Sequence, residues 1–223
     1  SPVPLESVAQ SHGARYMRMD RNGGSSVARN VGIAHAQGLA IKFLDSDDVL
    51  LPGTLQAEAA LLLSSGADIV VAGWQDVLLQ ADSSSTVFAR ATAPVFDCIK
   101  DDLLRGYAVP TGAAIYRRSA IRDVAWDAKL SKLNDWDFFV QAALKASKIA
   151  TADHTSYSWR QHPGERITTS SSMLANAREF YAILDKLISH LESRSELSAP
   201  RRRRAAQYLY KELRVLYRYA PDA

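Results

Sequence analysis

Between Arg15 and Trp74 the apolar pattern switches repeatedly between strand and helix periods, and this alternation limits the fold more than any other feature of the chain. Arg15 to Met19 reads as a short strand ending at Asp20, and Arg21-Asn22-Gly23-Gly24 as a turn. Ser25 or Ser26 is available as N-cap for a helix carrying Val27, Val31 and Ala34, with Gly38 as the stop. Leu39 to Leu44 predicts a buried strand that runs straight into Asp45-Ser46-Asp47-Asp48. Pro52 suits the first turn of the next helix, which continues to Leu63 and ends at Gly66, and Asp68 to Trp74 supplies another strand. Such alternation predicts an α/β domain whose sheet is mostly parallel and flanked by helices. Ligands of these sheets bind at the carboxyl ends of strands, which is where the acidic cluster falls.

Farther on the pattern is sparser. Ser83-Ser84-Ser85 predicts an exposed hairpin or loop, Phe96 to Arg105 a helix closed by Gly106, and Ala113 to Tyr116 a strand. Ser119 to Val124 reads as a helical turn, Asp135 to Ala146 as a helix, and Ser156 to Arg160 as a strand. Proline and glycine together make His162 to Arg166 a loop. Two amphipathic helices follow, Met173 to Leu191 and Pro200 to Tyr219, so residues 1–170 are expected to form the α/β domain and 171–223 a helical extension. With 47% hydrophobic and 23% charged residues, the chain can build a core without staples. Cys98 is the single cysteine, which excludes an intrachain disulfide and suits a reducing, cytoplasmic setting. The net charge is only +3, but Arg201 to Arg204, Lys211, Arg214 and Arg218 gather near the C-terminus. That run is either a solvated helix face or a surface for phosphate-rich partners. No apolar stretch reaches membrane-spanning length.

Three carboxylates within Asp45 to Asp48 repel one another and call for a cation, a basic side chain or several donors. Hard divalent ions take oxygen ligands and bridge to phosphate; the alternative is an Asp-rich turn capping the next helix. A calcium loop is excluded, because its sixth position counted from Asp45 is Leu50 where glycine is needed. A haloacid-dehalogenase-like phosphatase also places Asp-x-Asp after a buried strand. The later acidic pair it requires, Asp101-Asp102, stands here in a helical pattern directly after Lys100.

The blocks around the cluster narrow the choice. Asn22-Gly23-Gly24, Ala28-Arg29-Asn30-Val31-Gly32, Ala36-Gln37-Gly38, Phe43 to Asp48 and Pro52 resemble, in order and spacing, the inverting family 2 glycosyltransferases of the GT-A fold. The resemblance continues through Thr111 to Arg118 and Asn134 to Phe138, and it covers about Arg15 to Thr168. It implies a GT-A-like (Rossmann-like) domain that transfers a sugar from a nucleoside-diphosphate sugar, a UDP-sugar first of all, to an acceptor hydroxyl. Carried over, Arg29 matches a position near the donor pyrophosphate, Asp45 belongs to the nucleotide-sugar site, and Asp47 and Asp48 to a Mn²⁺ or Mg²⁺ site. Asp135 matches the general base, preceded here by Asn134 where the family often has Glu. Thr111 and Gly112 would line the sugar or acceptor pocket. His162 and Arg166 lie in a loop similar to the family's lid over the diphosphate, the first as a metal or phosphate ligand and the second as a phosphate partner. Trp74, Trp126, Trp136 and Trp159 serve as core residues or sugar platforms.

The resemblance also implies a strand-helix-strand unit ahead of Ser1 that holds the nucleobase, and Ser1-Pro2-Val3-Pro4 reads as the middle of a loop. Without that unit a sheet edge is open, which predicts a homodimer through it. It also leaves a second reading, a non-catalytic module that binds sugar or a protein. The acceptor implied is a glycan or a lipid-linked sugar in polysaccharide, glycolipid or cell-surface glycan synthesis. The basic C-terminal helix would touch the inner membrane face peripherally, and no nucleic-acid partner is implied.

Overall fold

The computed structural model describes residues 5–80, 84–161 and 173–219. It is an α/β fold with helices on both faces of one sheet. In chain order the elements are α1 (Leu5–Ser11), α2 (Gly24–His35), β1 (Ala40–Lys42), β2 (Val49–Leu50), α3 (Thr54–Ser65), β3 (Ile69–Leu79), β4 (Ser85–Ala91), α4 (Ile99–Leu103), β5 (Ala114–Arg117), α5 (Asn134–Lys145), β6 (Ile149–Gln161), α6 (Met173–Ser193) and α7 (Ala199–Tyr219). Short 3₁₀ turns at Thr111–Ala113 and Arg118–Ile121 flank β5.

The sheet runs β1-β5-β3-β6-β2, with β4 paired to β3. Among the described residues only β3 and β6 pair in parallel, from Ile69 opposite Ile149 to Leu78 opposite Gln161. The β1–β5, β5–β3, β3–β4 and β2–β6 pairs are antiparallel. The expected mostly parallel sheet is therefore corrected to a mixed one. Strands β1 and β3 run in the same direction across α3, as the alternation predicts, but β5 inserts between them and pairs antiparallel with both. Arg15 to Met19, expected as a strand, have no regular structure and join no strand among the described residues.

Period-2 alternation places the core on both faces. Ile69, Val71, Ala114 and Tyr116 face one side, which is packed with Phe138, Phe139, Ile183 and Leu187. Val70, Ala72 and Ile115 face the other, against Leu62 of α3. Gly66 ends α3 in the left-handed region at φ 69°, where a side chain would be strained. Helix α6 is not peripheral: Ile183, Leu184, Leu187 and Leu191 are at most 3% exposed and share the sheet's main core. Each such side chain contributes about 1.5–3 kcal/mol by leaving water.

Candidate active site

Strand β1 delivers the acidic loop. The Asp48 amide donates to the Asp45 carbonyl (3.0 Å), turning the chain sharply after Phe43 and Leu44. Strand β2 then pairs with β6, setting Val49 opposite Ser158. This brings the Arg160 amide onto Asp48 Oδ1 (2.9 Å), while the Arg160 side chain donates to the Asp47 carbonyl. Burial pushes the Asp48 carboxyl up to about 6; the Arg160 amide favours the ionised form, and the charges of Asp47 and Asp45 disfavour it.

Helix α2 contributes Arg29. Its side chain is only 12% exposed, so it is not a surface helix residue. Its Nη2 donates to Asp45 Oδ1, and its guanidinium lies over the Trp126 ring, 4.3 Å from the centroid. The other terminal nitrogen, Nη1, is buried with no partner among the described residues. Helix α5 opens with Asn134 and Asp135, and Asp135 Oδ1 accepts from the Trp136 amide (2.8 Å). Burial pushes Asp135 up to about 6; the Trp136 amide and the Arg29 guanidinium pull it down, and Asp45 pushes it up.

These groups meet. Arg29, Asp45, Asp48, Thr111 and Asp135 line one cavity of about 230 Å³, walled also by Lys132, Tyr157 and Trp159. Gly112 stands behind the wall: a Cβ there would come within 2.8 Å of the Tyr157 ring. A second cavity of about 550 Å³ adjoins the first and shares Lys132, Asp135 and Trp159 with it. It is mostly apolar, with Trp136, Phe180 and Tyr208 among its walls. Asp135 thus borders two spaces, one charged and one aromatic.

Asp47 is not among the residues walling either cavity. Among the described residues no three His, Cys, Asp or Glu side chains converge as a metal shell. In kind, the carboxylate oxygens fit a hard divalent ion, which would favour the ionised Asp48 against the burial, and the lesser push of Asp47 and Asp45, that raise it. His162 and Arg166 lie outside the described residues. Trp126 and Trp136 are 3% exposed core residues, whereas Trp159, at 36%, faces both cavities. Of the C-terminal basic run, Arg201 and Arg204 are each 2.7 Å from Asp101. Arg203, Lys211, Arg214 and Arg218 remain exposed. No helix among the described residues is long and apolar enough to cross a membrane.

A family model described as Glycosyl transferase family 2 matches residues 1–125, more than half of the 223-residue chain. The chain belongs to glycosyl transferase family 2. Among curated relatives, the uncharacterized glycosyltransferase YwdF of Bacillus subtilis is 26% identical over 145 residues, covering 64% of this chain and 53% of YwdF. The poly(ribitol-phosphate) beta-N-acetylglucosaminyltransferase TarS of Staphylococcus aureus is 26% identical over 166 residues, covering 73% of this chain and 28% of TarS. The chain therefore spans about half or less of the length of these relatives. In fold it is similar to S. aureus TarS crystallised with UDP-GlcNAc, at a TM-score of 0.67 and 20% identity over 96% of this chain and 60% of that one. For TarS crystallised with UDP the TM-score is 0.63. The likeness in fold takes in α6 and α7 as well as the sheet.

Several residues around this candidate site stand outside the motif blocks of the sequence. Lys132 precedes the Asn134-Asp135 block closely enough to have been considered. Arg160 reaches the acidic loop through both its amide and its side chain, and Tyr157 packs on Gly112. Both fall in the strand expected over Ser156 to Arg160, whose pattern does not tell which atoms meet the loop.

Proposed function

We propose that this chain carries the catalytic centre of an inverting transferase that moves a sugar from a nucleoside-diphosphate sugar to an acceptor hydroxyl. The observation that carries the reading is the convergence of Arg29, Asp45 and Asp135, from three separate elements, on one cavity. Family membership and the likeness in fold to TarS structures holding UDP-GlcNAc and UDP support a UDP-sugar as donor. A cavity of about 230 Å³ takes the reacting end of such a donor and not the whole molecule. Arg29, with Nη1 unpaired, meets the diphosphate, and Asp45 holds Arg29 in place and orients the donor. Asp47 and Asp48, with His162, would hold Mn²⁺ or Mg²⁺, which when bound supplies charge neutralisation for the diphosphate.

The acceptor enters from the aromatic cavity, the second space that Asp135 borders. Its hydroxyl gives a proton to the Asp135 carboxylate as the oxygen forms its bond to the anomeric carbon. The bond to the nucleoside diphosphate breaks on the opposite side, and the configuration inverts. By analogy with the name of TarS, the acceptor is a cell-surface polyol phosphate or related glycan; Lys132, at the junction of the two cavities, suits its negative charge. The test is transfer from UDP-GlcNAc to poly(ribitol phosphate), with the anomer of the product read by NMR. Asp135→Asn is expected to lower kcat by roughly 10²–10⁴-fold with little change in donor KM. A retained anomeric configuration, or full activity in that variant, would sink the reading.

A further inference from the structure

We propose that Glu179 of α6 is the positioning residue for Asp135, holding the loop from which α5 starts and so fixing where the Asp135 carboxylate stands. The inference rests on reading Asp135 as the base. Helix α5 has Leu133 as its N-cap, a residue with no side-chain oxygen to satisfy the free amides of a helix start. Glu179, from another helix, instead holds the loop that leads into α5, up to the amide of Leu133 itself. Its Oε1 accepts from the Ser131 amide (2.6 Å) and hydroxyl (2.7 Å), and its Oε2 from the amides of Lys132 and Leu133 (both 3.0 Å). Three consecutive amides are thus drawn to one carboxylate immediately before the turn that carries Asp135.

That turn has little independence of its own. Asp135 is oriented by the Trp136 amide (2.8 Å), so a shift of the first turn of α5 is a shift of the carboxylate. Two further contacts from α6 grip the residues that follow. Phe180 stacks on Trp136 with centroids 5.4 Å apart, and Lys186 donates to Asp137 Oδ1 (2.9 Å), whose side chain is 1% exposed. Partial burial alone would raise the Glu179 carboxyl. The amides of Leu133, Ser131 and Lys132 and the Ser131 hydroxyl outweigh it and hold the group below the ordinary glutamate range. Glu179 therefore stays charged wherever Asp135 is ionised. Helix α6 lies beyond residues 1–125, so this link is not part of the family match.

The test pairs amide hydrogen exchange with transfer kinetics on the same proteins. In Glu179→Ala, exchange at Ser131, Lys132 and Leu133 is expected to speed up by about tenfold or more while the β3 core stays protected. With UDP-GlcNAc as donor, kcat is expected to fall about tenfold to a hundredfold and donor KM to stay within about twofold. Glu179→Gln keeps one acceptor oxygen and should fall between, and it carries the same readouts if the alanine variant does not fold. Unchanged exchange at those amides in both variants overturns the clamp whatever the donor. Unchanged kcat in a Glu179 variant, with Asp135→Asn inactive, overturns the positioning role and leaves Asp135 as base. Full transfer by Asp135→Asn overturns the reading of the base itself.

Discussion

Single side chains in this site are set by what buries them. Asp135 is raised from 3.8 to about 6 chiefly by burial, and Arg29 only partly offsets it. A base works ionised, so kcat/KM, which follows the unliganded enzyme, should climb about tenfold per pH unit up to about 6 and level off above it. A limb near the ordinary carboxylate value, or none between pH 5 and 7, would contradict the assignment. The same shift has the opposite sign for folding. With the folded value above the unfolded one, ionisation of Asp135 in the unliganded protein costs stability above about pH 6 and nothing below the ordinary value. At this scale the sequence is legible where residue type within a block singles out a side chain, as with Arg29, Asp45 and Asp135, which the fold brings to one cavity. It is silent where a backbone amide acts, as at Arg160, or where a remote helix reaches in, as Glu179 does.

At the scale of elements, a buried polar cluster ties the acidic loop's supports together. Lys42 of β1 donates to Glu58 of α3 (2.5 Å) and to Ser156 of β6 (2.9 Å), and Ser156 also bonds Glu58. The Lys42 and Glu58 side chains are 4% and 0% exposed. Burial lowers the Lys42 pKa, and Glu58 works against that shift. Removing one partner leaves the other charge buried and uncompensated, so Lys42→Met should cost about 3–5 kcal/mol. The double variant Lys42→Met/Glu58→Leu should recover much of that loss in urea unfolding. A loss in the double variant as large as the sum of the two singles would contradict this. Element types were legible wherever local periodicity decides them: α2, α3, β1, β5, α5 and the two C-terminal helices were expected close to where they stand. Sheet order was not, because the insertion of β5 between β1 and β3 is a non-local pairing that no local pattern encodes. The ends of β3 and β6 ran past their expected limits for the same reason, since their mutual pairing extends them to Leu78 and Gln161.

At the scale of the whole molecule, one core joins the sheet to α6, and one junction of two cavities joins the charged face to the aromatic one. The helical extension is separate in sequence but not in packing: α6 contributes Ile183 and Leu187 to the core and Glu179 to the loop before Asp135. The central claim, that the charged cavity is a nucleotide-sugar site, is tested most directly by calorimetric titration of UDP. Wild type, Arg29→Ala and Asp45→Asn are compared, each with Mn²⁺ present and absent. The account predicts binding by wild type that needs the ion, and a loss of about tenfold or more in affinity when either side chain is changed, as expected for charge-assisted contacts. UDP binding of equal affinity in all three proteins would place the nucleotide elsewhere and contradict it.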